Sequence, residues 1–501
     1  MKSPDIIIIG SGIGGATIAS ALAGSDASVL ILERGEQLPD TPHARSSASI
    51  FLDGHYRPKE QWLDGHGAPF NPGNYYYIGG NSKFFGAVFY RYRAEDFEAM
   101  EHFGGTSPAW PFSYDELEPW YCKAEHLFNV RGSTDNDPSE PRHSRPYAFS
   151  PVPDEPDMAA HRQKLAAQGL NVSSLPLGVD VEQWLKGGQT PWDAFPDTRS
   201  GKMDAENCPL AKALMSKNVM LQTGARVETL ESSADGKTIV AVNALINGER
   251  HRLTPKIVIL SAGAINSAAL LLRSGNSRFP TGLANSSDQV GRNFMNHNIA
   301  AVVVINPFEK NRSVYQKTLA INDYYLSDGK GGLPLGHVQL VGKIDGNILK
   351  ANIKSVPKFI LKQMAQRTYD WSYICEDLPN PESRVRVNGS QIVLDWKRSN
   401  MEALERLDKV MREKFRAAGY PIIMRKMFDK RTPSHQCGTL IMGADPATSV
   451  LDPYCKTWDH ENLYVVDASF TPTSAAVNPV LTIAAQALRV GEHLRRNLIE
   501  K

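Results

Sequence analysis

The chain has 501 residues, 42% apolar and 22% charged, a soluble globular composition too long for one ordinary core and suited to two lobes. Its 55 Lys and Arg balance 54 Asp and Glu to a net charge of +1, which gives no argument for nucleic acid or an anionic membrane as the partner. Five scattered cysteines without a CxxC pair exclude a disulfide framework and a zinc site, and read as reduced thiols of a cytoplasmic protein.

Residues 5–34 predict a β-α-β unit: a buried strand over Asp5 to Ile9, a helix over Gly14 to Ala23, and a strand over Ser28 to Leu32. The glycines interrupting this apolar run argue against an export signal, and no apolar stretch is long enough to span a bilayer. Gly10-Ser11-Gly12-Ile13-Gly14-Gly15 is a GxGxxG between strand and helix. Gly10 permits the tight turn, Gly12 lets the backbone approach a pyrophosphate, and Gly15 lets helix and strand pack closely, while the helix N-terminus faces the phosphates. Glu33 ends the next strand, where a carboxylate can accept hydrogen bonds from a ribose diol. The unit predicts a dinucleotide and does not by itself choose FAD over NAD.

Residues 131–157 carry six prolines and predict an irregular surface excursion, suited to a lid or to an arm of a homo-oligomer. Strand-like runs return over 219–231 and 238–261, followed by a helix near Asn266. Alternating runs at Ala300 to Ile305 and Ser383 to Val387 predict an antiparallel sheet. Leu404, Leu407 and Met411 mark an amphipathic helix over 402–418. The C-terminal part reads as a strand over Leu463 to Val466, a loop, and a helix from about Pro479. The expected class is α/β. A Rossmann-like parallel domain would be assembled from 1–90, 200–299 and 430–501. An α+β substrate domain on an antiparallel sheet would come from 91–199 and 300–429.

Four further segments carry motifs: Tyr77 to Ala87, a second glycine-rich loop; Ser261 to Ser267; Ser434 to Gly443; and Leu463 to Thr473, leading into Asn478 to Thr482. With the N-terminal motif they resemble, in family order, the glucose-methanol-choline (GMC) oxidoreductases. Val290-Gly291-Arg292-Asn293 and Pro381-Glu382-Ser383-Arg384 also match that family. The resemblance implies a p-hydroxybenzoate hydroxylase-like arrangement of two lobes and bound FAD. The pyrophosphate would lie on Gly10, Ser11, Gly12, Gly14 and Gly15, the adenosine ribose near Glu33 and Arg34, and the adenine against the backbone of Val227. Gly79, Gly80, Asn81, Ser82, Gly86 and Ala87 would run beside the flavin. Ala262, Gly263, Asp467 and Ala468 would approach the pyrophosphate and ribityl chain. Pro479, Val480 and Thr482 would meet the pyrimidine end at a helix start, which favours negative charge on the reduced ring. Phe84 stands where some relatives attach FAD through a histidine, so noncovalent FAD is expected.

Alcohol oxidation needs a base for the hydroxyl proton and an acceptor for the hydride. The resemblance assigns the base to His435 and a substrate hydrogen bond to Asn478, since an amide cannot act as a base at neutral pH. This His/Asn pair resembles the pyranose oxidase branch, and the spacing is similar to bacterial glycoside and C-glycoside 3-oxidases. The implied reaction is oxidation of a pyranose secondary hydroxyl, at C3 ahead of C2, with O2, a quinone or another acceptor taking the electrons. His337 and Gln339, at i and i+2, would share a strand face toward the sugar. Tyr75, Tyr76, Tyr77 and Trp371 offer stacking surface. Lys350, Lys354, Lys358 and Lys362 suggest a solvated helix face, with a mobile lid or an oligomer contact as the sharper reading. No metal is expected. The alternatives are a non-sugar alcohol as substrate, or a lyase or non-redox flavoprotein.

Overall fold

The computed structural model describes residues 3–187 and 193–499. Apolar strands that cannot face water on either side are covered on both. Ile6–Ile9 lies between Val29–Leu32 and Ile257–Leu260, with Leu463–Val465 beyond the latter and Val219–Gln222 beyond the former. All four pairings are parallel. The helix Ile13–Leu22 follows the first strand and packs against the C-terminal helix Val480–Leu494. That approach is close: a methyl on Gly491 would come within 2.6 Å of Ala21 Cβ.

A six-stranded sheet forms the second layer, in the order Ile422–Met427, Asn298–Ile305, Thr368–Cys375, His337–Leu340, Leu319–Ile321 and Val172–Ser174. Its pairings are antiparallel. Every residue of Thr368–Cys375 is buried. The helix Met401–Ala417 covers the sheet with Leu404, Leu407, Met411 and Phe415, the apolar stripe the sequence predicts. The α/β class and the two kinds of sheet are as expected.

Several local expectations change. The alternation at Ser383 to Val387 is a strand, Arg384–Asn388, but it joins Gln391–Asp395, Trp62–Asp64 and Pro69–Phe70 in a separate four-stranded sheet. Residues 131–157 are irregular, yet pinned down: Arg93 donates to Asp137 at 2.8 Å, and Arg131 exchanges backbone bonds with Leu177. The four lysines do not share a helix, since Lys354 falls between Gly346–Asn352 and Lys358–Ala365. Trp371 is wholly buried in the antiparallel sheet and offers no surface to a ligand. Among the described residues, no helix is long and apolar enough to cross a membrane.

The helix Tyr114–Leu127 braces the C-terminal helix, with Tyr121 Oη and Thr482 Oγ1 2.7 Å apart. Arg91 ties this brace down from a fully buried position. It donates to both Glu125 oxygens at 2.7 Å and to Glu118 at 3.0 Å. Arg91→Met would leave two buried carboxylates without their cation, so a loss of about 3–5 kcal/mol is expected. Chemical denaturation of the holoprotein measures it, and an unchanged midpoint would refute the tie.

Candidate active site

The first glycine loop is built by close approach. Gly10 has φ +104, and a Cβ there would meet the Ser261 carbonyl at 2.3 Å. A Cβ on Gly14 would meet the Val466 carbonyl at 1.9 Å, and one on Gly15 the Gly10 carbonyl at 2.0 Å. Three of the glycines are therefore required by packing alone. Gly12 differs, since a Cβ there would meet nothing within 4 Å. It also caps Ile13–Leu22 without a side-chain hydrogen bond, so the positive end of the helix faces that open space. This cradle fits a pyrophosphate.

Glu33 is buried behind the loop. One oxygen accepts from Ser11 N at 2.9 Å and Ser11 Oγ at 2.6 Å, the other from Gly35 N at 2.8 Å. Burial raises its pKa above the usual carboxylate value. The carboxylate thus organises the loop. Glu33 O also accepts from Ala225 N at 2.9 Å, which brings the strand of Val227 to the same place. Arg34 extends over the ring of Tyr76, 3.9 Å from its centroid.

The second glycine loop is fastened onto the first. Gly79 N donates to Ser11 Oγ at 3.0 Å, and a Cβ on Gly80 would be 3.6 Å from Gly12 Cα. Asn81 Oδ1 accepts from Tyr75 N, and Ser82 Oγ donates to Gly79 O. Ala87 sits at φ +53. Phe84 is buried and stacks on Tyr75, with ring centroids 3.8 Å apart. Gly86 faces an ion pair between buried Lys317 and half-buried Asp193, whose atoms would lie 2.1 and 2.0 Å from a Cβ. Asp467 completes the floor by accepting from Gly263 N at 3.0 Å, Ser267 Oγ at 2.5 Å, and Ser469 N at 2.9 Å. Ala262 N donates to Ser267 Oγ. Ala468 O accepts from Gly438 N at 3.3 Å, which joins this floor to the His435 segment.

His435 and Asn478 come together, with Asn478 Nδ2 3.3 Å from His435 Nε2. Asn478 Oδ1 is buried without a hydrogen-bond partner. Asn478 precedes Pro479 at the start of Val480–Leu494. His435 occupies the left-handed region at φ +72, a strained conformation for a non-glycine residue of the kind that functional sites retain. Burial, followed by electrostatic repulsion from His297, Lys317 and His337 toward a protonated ring, holds its imidazole well below the ordinary value. It is therefore neutral near pH 7.

A second histidine, absent from the sequence reading, touches the first. His297 is fully buried, and its Nδ1 lies 2.8 Å from His435 Nδ1. Its Nε2 lies 2.8 Å from Ser474 O. His297 stands four residues after the Val290 to Asn293 motif and beside Met295, which exchanges backbone bonds with Cys437. The available signal was a histidine trailing a recognised motif, but only the pairing of those distant segments shows its partner.

His337 and Gln339 are both buried on the strand His337–Leu340. Burial lowers the His337 pKa to about 3. Its Nδ1 lies 2.6 Å from Asn322 Oδ1, and its Nε2 3.1 Å from the Gln339 side chain. The two residues bond to each other, and each is thereby engaged with a protein partner. Among the described residues, no cluster of three or more His, Cys, Asp or Glu could hold a metal.

Family models described as GMC oxidoreductase match residues 5–299 and 380–487. The chain is 28% identical to 6'''-hydroxyparomomycin C oxidase of Streptomyces lividus, over 99% of this chain and 92% of that one. It is 28% identical to 2-methyl-1,2-propanediol dehydrogenase of Mycolicibacterium austroafricanum, over 98% and 95%. Among solved structures, pyridoxine 4-oxidase from Mesorbium loti superposes with a TM-score of 0.69 at 19% identity, covering 99% of both chains.

Proposed function

The chain belongs to the GMC oxidoreductase family, and from that membership we propose that it oxidises a secondary hydroxyl of a pyranose sugar or glycoside, at C3 ahead of C2, to a ketone. It is an FAD-dependent oxidoreductase acting on CH–OH groups. The FAD supplies the hydride acceptor at N5.

The observation that carries the reading is the His435–Asn478 pair, with the Asn478 amide nitrogen 3.3 Å from the imidazole Nε2. His435 Nε2 takes the hydroxyl proton while Asn478 holds the same oxygen in line. Depression of the His435 pKa keeps the base unprotonated before turnover. A polyol also suits the surroundings. His337, Lys317 and Asp193 are polar groups whose electrostatic influence or ion pairing lies around the base, a setting a polyol suits better than an apolar ring. One relative is named for oxidising 6'''-hydroxyparomomycin C, which supports an elaborate hydroxylated substrate. The relative named for 2-methyl-1,2-propanediol favours a second reading, a small non-sugar alcohol.

The test is anaerobic titration of the purified holoprotein with monosaccharides, O-glycosides, C-glycosides and simple alcohols. Loss of the visible flavin absorbance with a sugar, and a 3-keto product by NMR, is the expected result. Bleaching by the diol alone would overturn the sugar reading, and bleaching by nothing would favour a lyase or non-redox role. Repeating turnover with O2 and with a quinone identifies the acceptor. Phe84 has no nucleophilic atom, so FAD is expected to separate from the denatured chain. An intact mass that retains FAD after denaturation would contradict this.

A further inference from the structure

We propose that His297 is a positioning residue that locks His435 into the one neutral tautomer able to act as the base. This rests on the reading of His435 as that base. The argument begins at a carbonyl, which can only accept. Ser474 O accepts from Tyr92 Oη at 3.0 Å and lies 2.8 Å from His297 Nε2, so His297 Nε2 must carry a hydrogen. Burial holds the His297 pKa below its ordinary value, so near pH 7 the ring is neutral and its Nδ1 is a lone pair. Two lone pairs cannot face each other at 2.8 Å, so His435 Nδ1 must be the donor. The hydrogen of neutral His435 is thereby placed on Nδ1, and its lone pair on Nε2, beside Asn478 Nδ2.

Without an acceptor at His297 Nδ1, imidazole favours the opposite tautomer, which places a hydrogen on Nε2 and blocks proton uptake there. The contact also strengthens during reaction. As Nε2 gains the substrate proton, the His435 Nδ1–H becomes the donor of a charged ring, and a charge-assisted bond is stronger than a neutral one. His297 is not free to reorient, because it precedes the strand Asn298–Ile305 and is pinned at Nε2.

Two substitutions separate this role from packing. His297→Asn places an amide oxygen near the position of Nδ1 and keeps an acceptor, whereas His297→Leu fills the space without one. The expected result is a loss of about 100-fold in the anaerobic reductive rate for His297→Leu, the lower end of what a positioned base contributes. His297→Asn should stay within about tenfold of the unaltered protein. Both should retain FAD. Near-unaltered rates in His297→Leu, or equal losses in both variants with FAD bound, would overturn the proposal.

A second readout does not need turnover. Nitrogen NMR of the histidine-labelled holoprotein, assigned by loss of signal in His435→Gln, should show His435 protonated at Nδ1, moving to Nε2 in His297→Leu. A hydrogen on Nε2 in the unaltered protein would overturn the proposal directly. If no alcohol bleaches the flavin, the functional reading falls, and the NMR result still decides the role of His297.

Discussion

His435→Ala is expected to keep FAD and lose reduction of the flavin by substrate, with the rate falling about 10²–10⁴-fold. The glycine loops and the Asp467 floor are fastened without the His435 side chain, so removing the ring deletes the base and spares the cradle. The pH dependence sharpens the expectation. A base works above its pKa, and the His435 pKa is held well below 6.5, so the reductive rate should be level from neutral pH down past 6.5. Asn478→Asp would set a carboxylate near His435 Nε2, favour the imidazolium, and raise that pKa. The rate of this variant should therefore fall as the pH drops through the raised value, where the unaltered protein is flat. Rapid-mixing measurements across pH 5.5–8.5 (an experimental window of about three units around the imidazole range) check both. A His435→Ala protein reduced at an unaltered rate would remove His435 from the chemistry.

Gly12→Ala and Gly14→Ala should fail in opposite ways. A methyl on Gly12 meets no protein atom within 4 Å, so the apoprotein should fold with unchanged stability. The same methyl enters the cradle at the helix N-terminus, and FAD should bind about 100-fold more weakly, equivalent to about 2.8 kcal/mol. A methyl on Gly14 strikes a backbone carbonyl that cannot move independently of its strand. That variant should lose about 3 kcal/mol of stability before any effect on FAD is considered. Thermal unfolding of the apoproteins, with FAD titrated by fluorescence, separates the two. Equal FAD affinity in Gly12→Ala and the unaltered protein would place the pyrophosphate elsewhere.

Local, periodic features were legible in the sequence. The strand, glycine turn and helix over residues 5–34 need only neighbouring residues to specify them, and they form within a residue or two of the expected bounds. The C-terminal helix start and the stripe on Met401–Ala417 were readable for the same reason. What escaped depends on partners distant in the chain. His297 and His435 are 138 residues apart and meet where the Met295–Cys437 pairing joins their segments. Arg384–Asn388 pairs locally with Gln391–Asp395, but the sheet they join recruits Trp62–Asp64 from the N-terminal region, which no local pattern announces. Prolines at 131–157 correctly signalled irregular backbone, but composition does not report that Asp137 anchors it through Arg93. Glycine chemistry was also only partly legible: Gly86 is small for a Lys317–Asp193 pair that no local pattern announces.

The stretch from Ser474 to Asn478 supports both halves of the reaction centre. Ser474 O holds His297, Ala476 N donates to Tyr325 Oη, and Asn478 stands beside His435. His337 and Gln339 lie instead on an inner strand of the antiparallel sheet. On the proposed reading, the fold thus keeps the proton-handling residues on one set of segments and the sugar-facing residues on another. Substitutions on the inner strand can drift toward a new ring or aglycone while the proton-handling residues stay untouched, and descendants of one ancestral oxidase could diverge in diet without relearning the chemistry.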